Sequence, residues 1–172
     1  MNDMVMKVMK EGEGLVGVWQ QWVIRNDSGN LVRLSRKNAF EQVLPYLKSG
    51  GNPEDRRYAE DVALLVGECF GIHREHKDNV GNFGRSMGRM KDMMLAQGAE
   101  SGVDRRANRI IQSKTVKSLA VALPHMVRWM SGKGIPIDFV LLYHDVYQWD
   151  DHYRRGWART YYMGMETDEK GE

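Results

Sequence analysis

From residue 15 onward the apolar residues of this chain recur at steps of three and four, the period of an α-helix, and not at the period of two that a half-buried strand needs. Leu15, Val18, Trp19, Trp22 and Val23 share one face, Val62, Leu65, Val66, Cys69 and Phe70 another, and Phe83, Met87, Met90 and Met94 a third. The alternating run Leu31-Val32-Arg33-Leu34 is too short to oppose them, and no strand pair is recognisable. The spacing predicts an all-α fold, a helical bundle of about eight helices in two lobes.

Turn and cap residues punctuate this pattern. Asn26-Asp27-Ser28-Gly29-Asn30 reads as a break, after which residues 31–48 resume a helical pattern with Pro45 expected to kink or end it. Gly50-Gly51 closes that segment, and Asn52-Pro53 opens a long helix to about His73. Residues 71–81 read as a polar loop, and the next helix spans about Asn82 to Gln97, stopped by Gly98. Ser101 to Asp104 has capping-box spacing and opens a helix carrying Arg105, Arg106 and Arg109. Ser113 or Thr115 caps the following helix, with a kink expected at Pro124; Pro136 starts another, and Asp150-Asp151 caps the last. We take residues 1–97 as an N-terminal lobe, 98–165 as a C-terminal lobe, and 166–172 as a disordered acidic tail.

Composition narrows the function. A chain of 172 residues can bury a core of its own. The single Cys69 excludes a disulfide framework and a cysteine-based zinc site. No apolar run approaches the roughly 18 residues that span a bilayer, and the first fourteen residues lack the apolar core of a signal peptide. The expected location is the cytoplasm, away from any membrane.

The net charge of +2 conceals an uneven distribution. The last seven residues hold four acids and one base, whereas residues 82–137 hold ten bases and three acids. Such a segment suits either a polyanion or a solvated helix surface. Arginines gather at helix starts and at one-turn spacing: Arg33/Arg36, Arg56/Arg57, Arg85/Arg89, Arg105/Arg106/Arg109 and Arg154/Arg155. Residues three or four apart on a helix point the same way, so Arg85 with Arg89, and Arg106 with Arg109, can each grip neighbouring phosphates. The competing reading of each pair is an intramolecular salt bridge, most of all for Arg56/Arg57 beside Glu54 and Asp55. The five tryptophans, Trp19, Trp22, Trp129, Trp149 and Trp157, lie at core-type positions and read as structural.

Enzymatic alternatives are thinner. His73, His76, His125, His144-Asp145 and Asp150 to His152 bring to mind helical metal-dependent phosphohydrolases of the HD type, with His144 and Asp145 as the central pair. Cys69 falls on an apolar face, and the Gly81–Gly88 stretch lacks the strand–loop–helix context of a nucleotide fingerprint. No catalytic residue, metal site or cofactor is assigned.

Taken in order, Ser86-Met87-Gly88-Arg89, Asp104-Arg105-Arg106 with Arg109-Ile110-Ile111, Leu142 to Trp149, and Arg154-Arg155-Gly156-Trp157-Ala158-Arg159-Thr160-Tyr161-Tyr162 resemble the CasB small-subunit family of the type I-E CRISPR Cascade complex. Val18-Trp19-Gln20-Gln21-Trp22 and Arg33 with Arg36 also fit, so the resemblance spans roughly residues 15–163. It implies an all-helical, non-catalytic subunit. Two copies would lie head to tail beside the backbone subunits that hold the guide RNA, in an assembly that also has a large subunit. They would stabilise the R-loop through basic contacts to the guide–target region and to the displaced DNA strand. The positions that match are Arg33, Arg36, Arg56 or Arg57, Arg89, Arg105, Arg106, Arg109 and Arg154 or Arg155. Pro124 and His125 stand where further bases are expected, which shifts that part of the patch to Lys117 or Arg128.

Overall fold

The computed structural model describes residues 3–36, 39–47, 52–98 and 102–164. Its first helix, α1 (Asp3–Ile24), turns Val8, Leu15, Val16 and Trp19 inward. Asn26 then takes a left-handed conformation (φ 55°) and Asp27 caps α2 (Ser28–Ser35), accepting from the Asn30 amide at 3.1 Å. The break is therefore three residues, Arg25 to Asp27, and only the first two residues of the polar run belong to it. Once Asp27 satisfies an orphan amide, Ser28 to Asn30 can form the first helical turn.

The helical pattern expected over 31–48, to be kinked or ended by Pro45, is divided among three pieces. After α2 come a one-turn helix, α3 (Phe40–Val43), and a 3-10 turn (Leu44–Tyr46) that accommodates Pro45 at its start. α4 (Pro53–His73) begins as expected, with Asn52 accepting from the amides of Glu54 and Asp55, both at 2.9 Å. α5 (Phe83–Ala96) is capped by Asn82, and Gly98 follows it with φ 69°.

α6 (Val103–Ile111) departs from the expected capping box. Gly102 is its N-cap, with no side-chain cap bond; Ser101 lies outside the described residues, as do Gly50-Gly51 and the acidic tail. The Asp104 carboxylate is committed elsewhere, to Tyr161 and Lys91. Thr115 caps α7 (Val116–Ser131) in a reciprocal capping box with Ser118, and Pro124 lies inside this helix, which continues past it to Ser131. α8 (Phe139–Tyr147) starts three residues later than Pro136 suggested, because Asp138 supplies the cap, accepting from the Leu141 amide at 3.0 Å. α9 (Asp151–Met163) is capped by Asp150.

Among the described residues, eight helices have eight or more residues, α3 and the 3-10 turn add one turn each, and there is no strand. The all-α reading holds. α4 is the central element, packed against α2, α7 and α8, while α1 lies on α8. α5 lies along α9, and α6 fits against α5, α7 and α9. One apolar cluster runs from Val8 to Tyr161 and includes fully buried Trp19, Phe70, Tyr143 and Trp157. A buried aromatic of this size removes roughly 150–250 Å² from water, about 4–6 kcal/mol before entropy is subtracted. Trp19, Trp149 and Trp157 are core residues as expected, and so is Cys69.

Candidate nucleic-acid interface

The basic middle of the chain becomes a surface where α6 meets the start of α7. Arg105 and Arg109, one turn apart on the exposed side of α6, line an open groove with Asn108, Gln112, Lys114 and Ser118. The groove exists because Val103, Ala107 and Ile110 hold the opposite face of α6 in the core. Thr115 starts α7 at once, which leaves Lys114 on the short connection between the two helices. Two guanidinium forks and an ammonium along one open groove can bind successive phosphates.

Arg106 is placed differently from its neighbours. Its guanidinium lies over the Trp129 ring of α7, 4.4 Å from the centroid, a cation–π contact that holds α6 to α7. The i,i+4 pair in the groove is thus Arg105 with Arg109, not Arg106 with Arg109 as the spacing suggested. Only the position of Trp129, remote in sequence, separates these two choices.

The other sequence-selected bases are dispersed. Arg33 is exposed on α2, and Arg36 is the C-cap of that helix. Arg56 and Arg57 are exposed in the first turns of α4, and Arg56 borders a cleft with Lys7, Glu11, Tyr58 and Tyr147. Lys117 is exposed on α7, facing a different hollow lined by Leu64 and Leu65 of α4. Arg89 is half-buried on α5 and donates to the Val80 carbonyl at 2.6 Å, which pins the loop after α4. Arg154 and Arg155 both pair with Asp151, holding its carboxyl below the usual carboxylate range. The salt-bridge reading therefore applies to Arg154 and Arg155.

Among the described residues the histidines are dispersed and do not converge on one site. His144 Nδ1 lies 3.2 Å from Asp145 Oδ1, and the other Asp145 oxygen accepts from Trp157 Nε1 at 2.7 Å. Asp145 is buried, which pushes its carboxyl above the usual range despite these bonds. Among the described residues this pair gathers no third ligand. His73 donates through Nε2 to the Ile135 carbonyl, and His125 is exposed on α7. His76, Asp78 and Asp138 do come together, but as a clasp. His76 Nδ1 accepts from the Phe139 amide at 3.0 Å and its Nε2 donates to Asp78 at 2.8 Å, while Asp138 accepts from Asn79 and Leu141. These bonds tie the loop after α4 to the start of α8.

Residues 25–162 match the family model of CRISPR-associated protein Cse2. The chain belongs to that family. It is the Cascade small-subunit family that the ordered arginine, tryptophan and tyrosine blocks resemble, and the match covers the span from just after α1 to the end of α9. No curated protein matches the chain. Among solved structures, the crystal structure of CasB from Thermobifida fusca superposes with a TM-score of 0.72 at 20% identity, covering 90% of this chain and 97% of that one. At that identity the likeness establishes the helical fold, which the Cse2 match had already made the expected one. No helix among the described residues is long and apolar enough to cross a membrane.

Proposed function

We propose that this Cse2-family chain is a non-catalytic small subunit of the type I-E Cascade surveillance complex and binds nucleic acid without reading its sequence. The observation that carries the proposal is the α6–α7 groove, where Arg105, Arg109 and Lys114 line one open surface. R-loop formation exchanges one duplex for another of similar stability, so a few phosphate contacts suffice to tip it. In this reading the groove offsets the repulsion between guide RNA, target strand and displaced DNA strand. The remaining exposed bases, Arg33, Arg36, Arg56, Arg57 and Lys117, make secondary contacts. The surface left over meets the backbone and large subunits and a second copy of the chain, in the cytoplasm.

The test is a salt titration of binding to single-stranded oligonucleotides of unrelated sequence. Affinity is expected to fall steeply with salt and to vary little with sequence. R105A/R109A is expected to weaken binding at every sequence while leaving the unfolding transition in place. Unchanged affinity in that double variant would remove the groove from the mechanism.

A further inference from the structure

Next to the arginine groove lies a second cleft, between α5 and α9, which holds the Arg85/Arg89 pair together with an aromatic that the sequence reading gave no role. Arg85, Arg89, Lys91 and Tyr162 line it, with Asp92 as the acid in its wall. Tyr162 is the chemically distinctive group. Its side chain sits near the end of α9, and the residue is 53% exposed, whereas the adjacent Tyr161 is 4% exposed.

The exposed ring is held in place. The Tyr162 hydroxyl donates to Asn108 Oδ1 on α6, and its ring meets that of Tyr161 edge-on at 4.7 Å. Lys91 Nζ lies 5.3 Å from the Tyr161 centroid and 5.8 Å from the Tyr162 centroid, and it also pairs with Asp104 at 3.0 Å. A large aromatic kept exposed, fixed by three neighbours and flanked by bases is the pairing of features that single-strand binders use: a ring for the base and cations for the phosphates.

The connection to the first groove is direct. Asn108, which holds Tyr162, also lines the α6–α7 groove between Arg105 and Arg109, and that groove has no aromatic in its lining. A strand crossing α6 would meet arginines on one side and an aromatic face on the other. We propose that Tyr162 is a stacking platform for an unpaired base, and that the α5–α9 cleft selects single-stranded nucleic acid while the α6–α7 groove grips backbone alone. This inference rests on the nucleic-acid reading of the groove and adds a preference that the groove by itself cannot supply. A paired base is already stacked within its duplex and offers no free face, so duplex gains nothing from the ring.

The test compares two oligonucleotides of equal length, a single strand with bases and the same strand made abasic, on the purified full chain at fixed salt. The wild type is expected to bind the base-bearing strand about ten-fold more tightly. Y162A is expected to erase that difference while retaining the abasic affinity. Y162F, which keeps the ring and loses only the bond to Asn108, is expected to preserve most of it. R105A/R109A should instead weaken both oligonucleotides together. If the base-bearing preference survives in Y162A while R105A/R109A still weakens both strands, the platform is wrong and the groove stands. If R105A/R109A changes nothing, or neither oligonucleotide binds at low salt, the nucleic-acid reading fails and the platform with it. Unfolding midpoints of the variants close to wild type exclude loss of fold as the cause.

Discussion

Asp145 is a buried carboxyl whose partners explain its place in the sequence. It accepts from Trp157 Nε1 and faces His144, so it joins α8 to α9 through a polar bond inside an aromatic cluster where Trp149 and Trp157 meet at 4.7 Å. D145A leaves the buried indole N–H without an acceptor and is expected to cost about 2 kcal/mol in urea unfolding. D145N keeps a carbonyl acceptor and is expected to cost less. The two differ in pH dependence as well. Burial raises the folded pKa of Asp145, so its contribution is fully present below the ordinary carboxylate value and is lost as pH climbs through the raised value. D145N should therefore gain on the wild type as pH rises, and a constant gap between them across the acid and neutral range would exclude a titrating Asp145. At the same scale, Arg106 and Arg109 are separable. R106A removes the stack on Trp129 and is expected to cost about 0.5–1 kcal/mol and to alter Trp129 emission, whereas R109A should leave both untouched.

At the scale of elements, the α5–α9 pair depends on a glycine. A Cβ on Gly84 would run into the Trp157 carbonyl oxygen and lie 2.6 Å from the Trp157 Cα, so the two backbones pass too closely for any side chain. One turn on, a Cβ at Gly88 would meet nothing nearer than 3.6 Å. G84A is expected to destabilise by about 3 kcal/mol or more and G88A to be nearly neutral. Equal unfolding midpoints for the two would show that the helices do not cross as described. The Gly84-Arg85-Ser86-Met87-Gly88 stretch, which lacks the context of a phosphate loop, thus serves close helix packing. α6 is fastened to the same pair by Asp104, which Tyr161 and Lys91 hold below the ordinary carboxylate range. The sign is opposite to that of Asp145. The stability from Asp104 is present above the ordinary value and is lost as pH falls through the lowered one. The side chain is 44% exposed, so the effect should stay below about 1 kcal/mol. D104N is expected to flatten that part of the acid unfolding curve, and an unchanged curve would contradict the clasp.

For the whole molecule, the measurable quantity is the number of phosphates engaged. Each contact to a single strand contributes about 0.7 to the slope of log affinity against log salt. R105A/R109A should lower that slope by about 1.4, whereas R154A/R155A, whose guanidinium groups already pair with Asp151, should lower it less. Equal reductions would mean that exposed ion pairs do not withhold arginines from the strand. The helices, their inward faces and three of their caps were legible in the sequence, since Asn52, Thr115 and Asp150 act within three residues of themselves. The salt bridges of Arg154 and Arg155 lie at three and four residues from Asp151, within reach of a local rule, yet the sequence reading placed both arginines among the phosphate contacts and expected ion pairs first at Arg56 and Arg57. The shortness of the break at Arg25–Asp27 and the late start of α8 were missed because Asp27 and Asp138 out-competed the Gly and Pro signals beside them as caps.

Period, capping and composition act over a few residues, and they suffice for the helical class, the family pattern and the supply of arginines. Tertiary structure alone decided which of those arginines face solvent together and which tyrosine became a surface. Arg106 is drawn to Trp129, 23 positions away, and Tyr162 is held by Asn108, 54 positions away. No local rule distinguishes Arg105 from Arg106, or Tyr161 from Tyr162; the difference is one step around a helix, about 100° of rotation, against neighbours that only the packed bundle brings near.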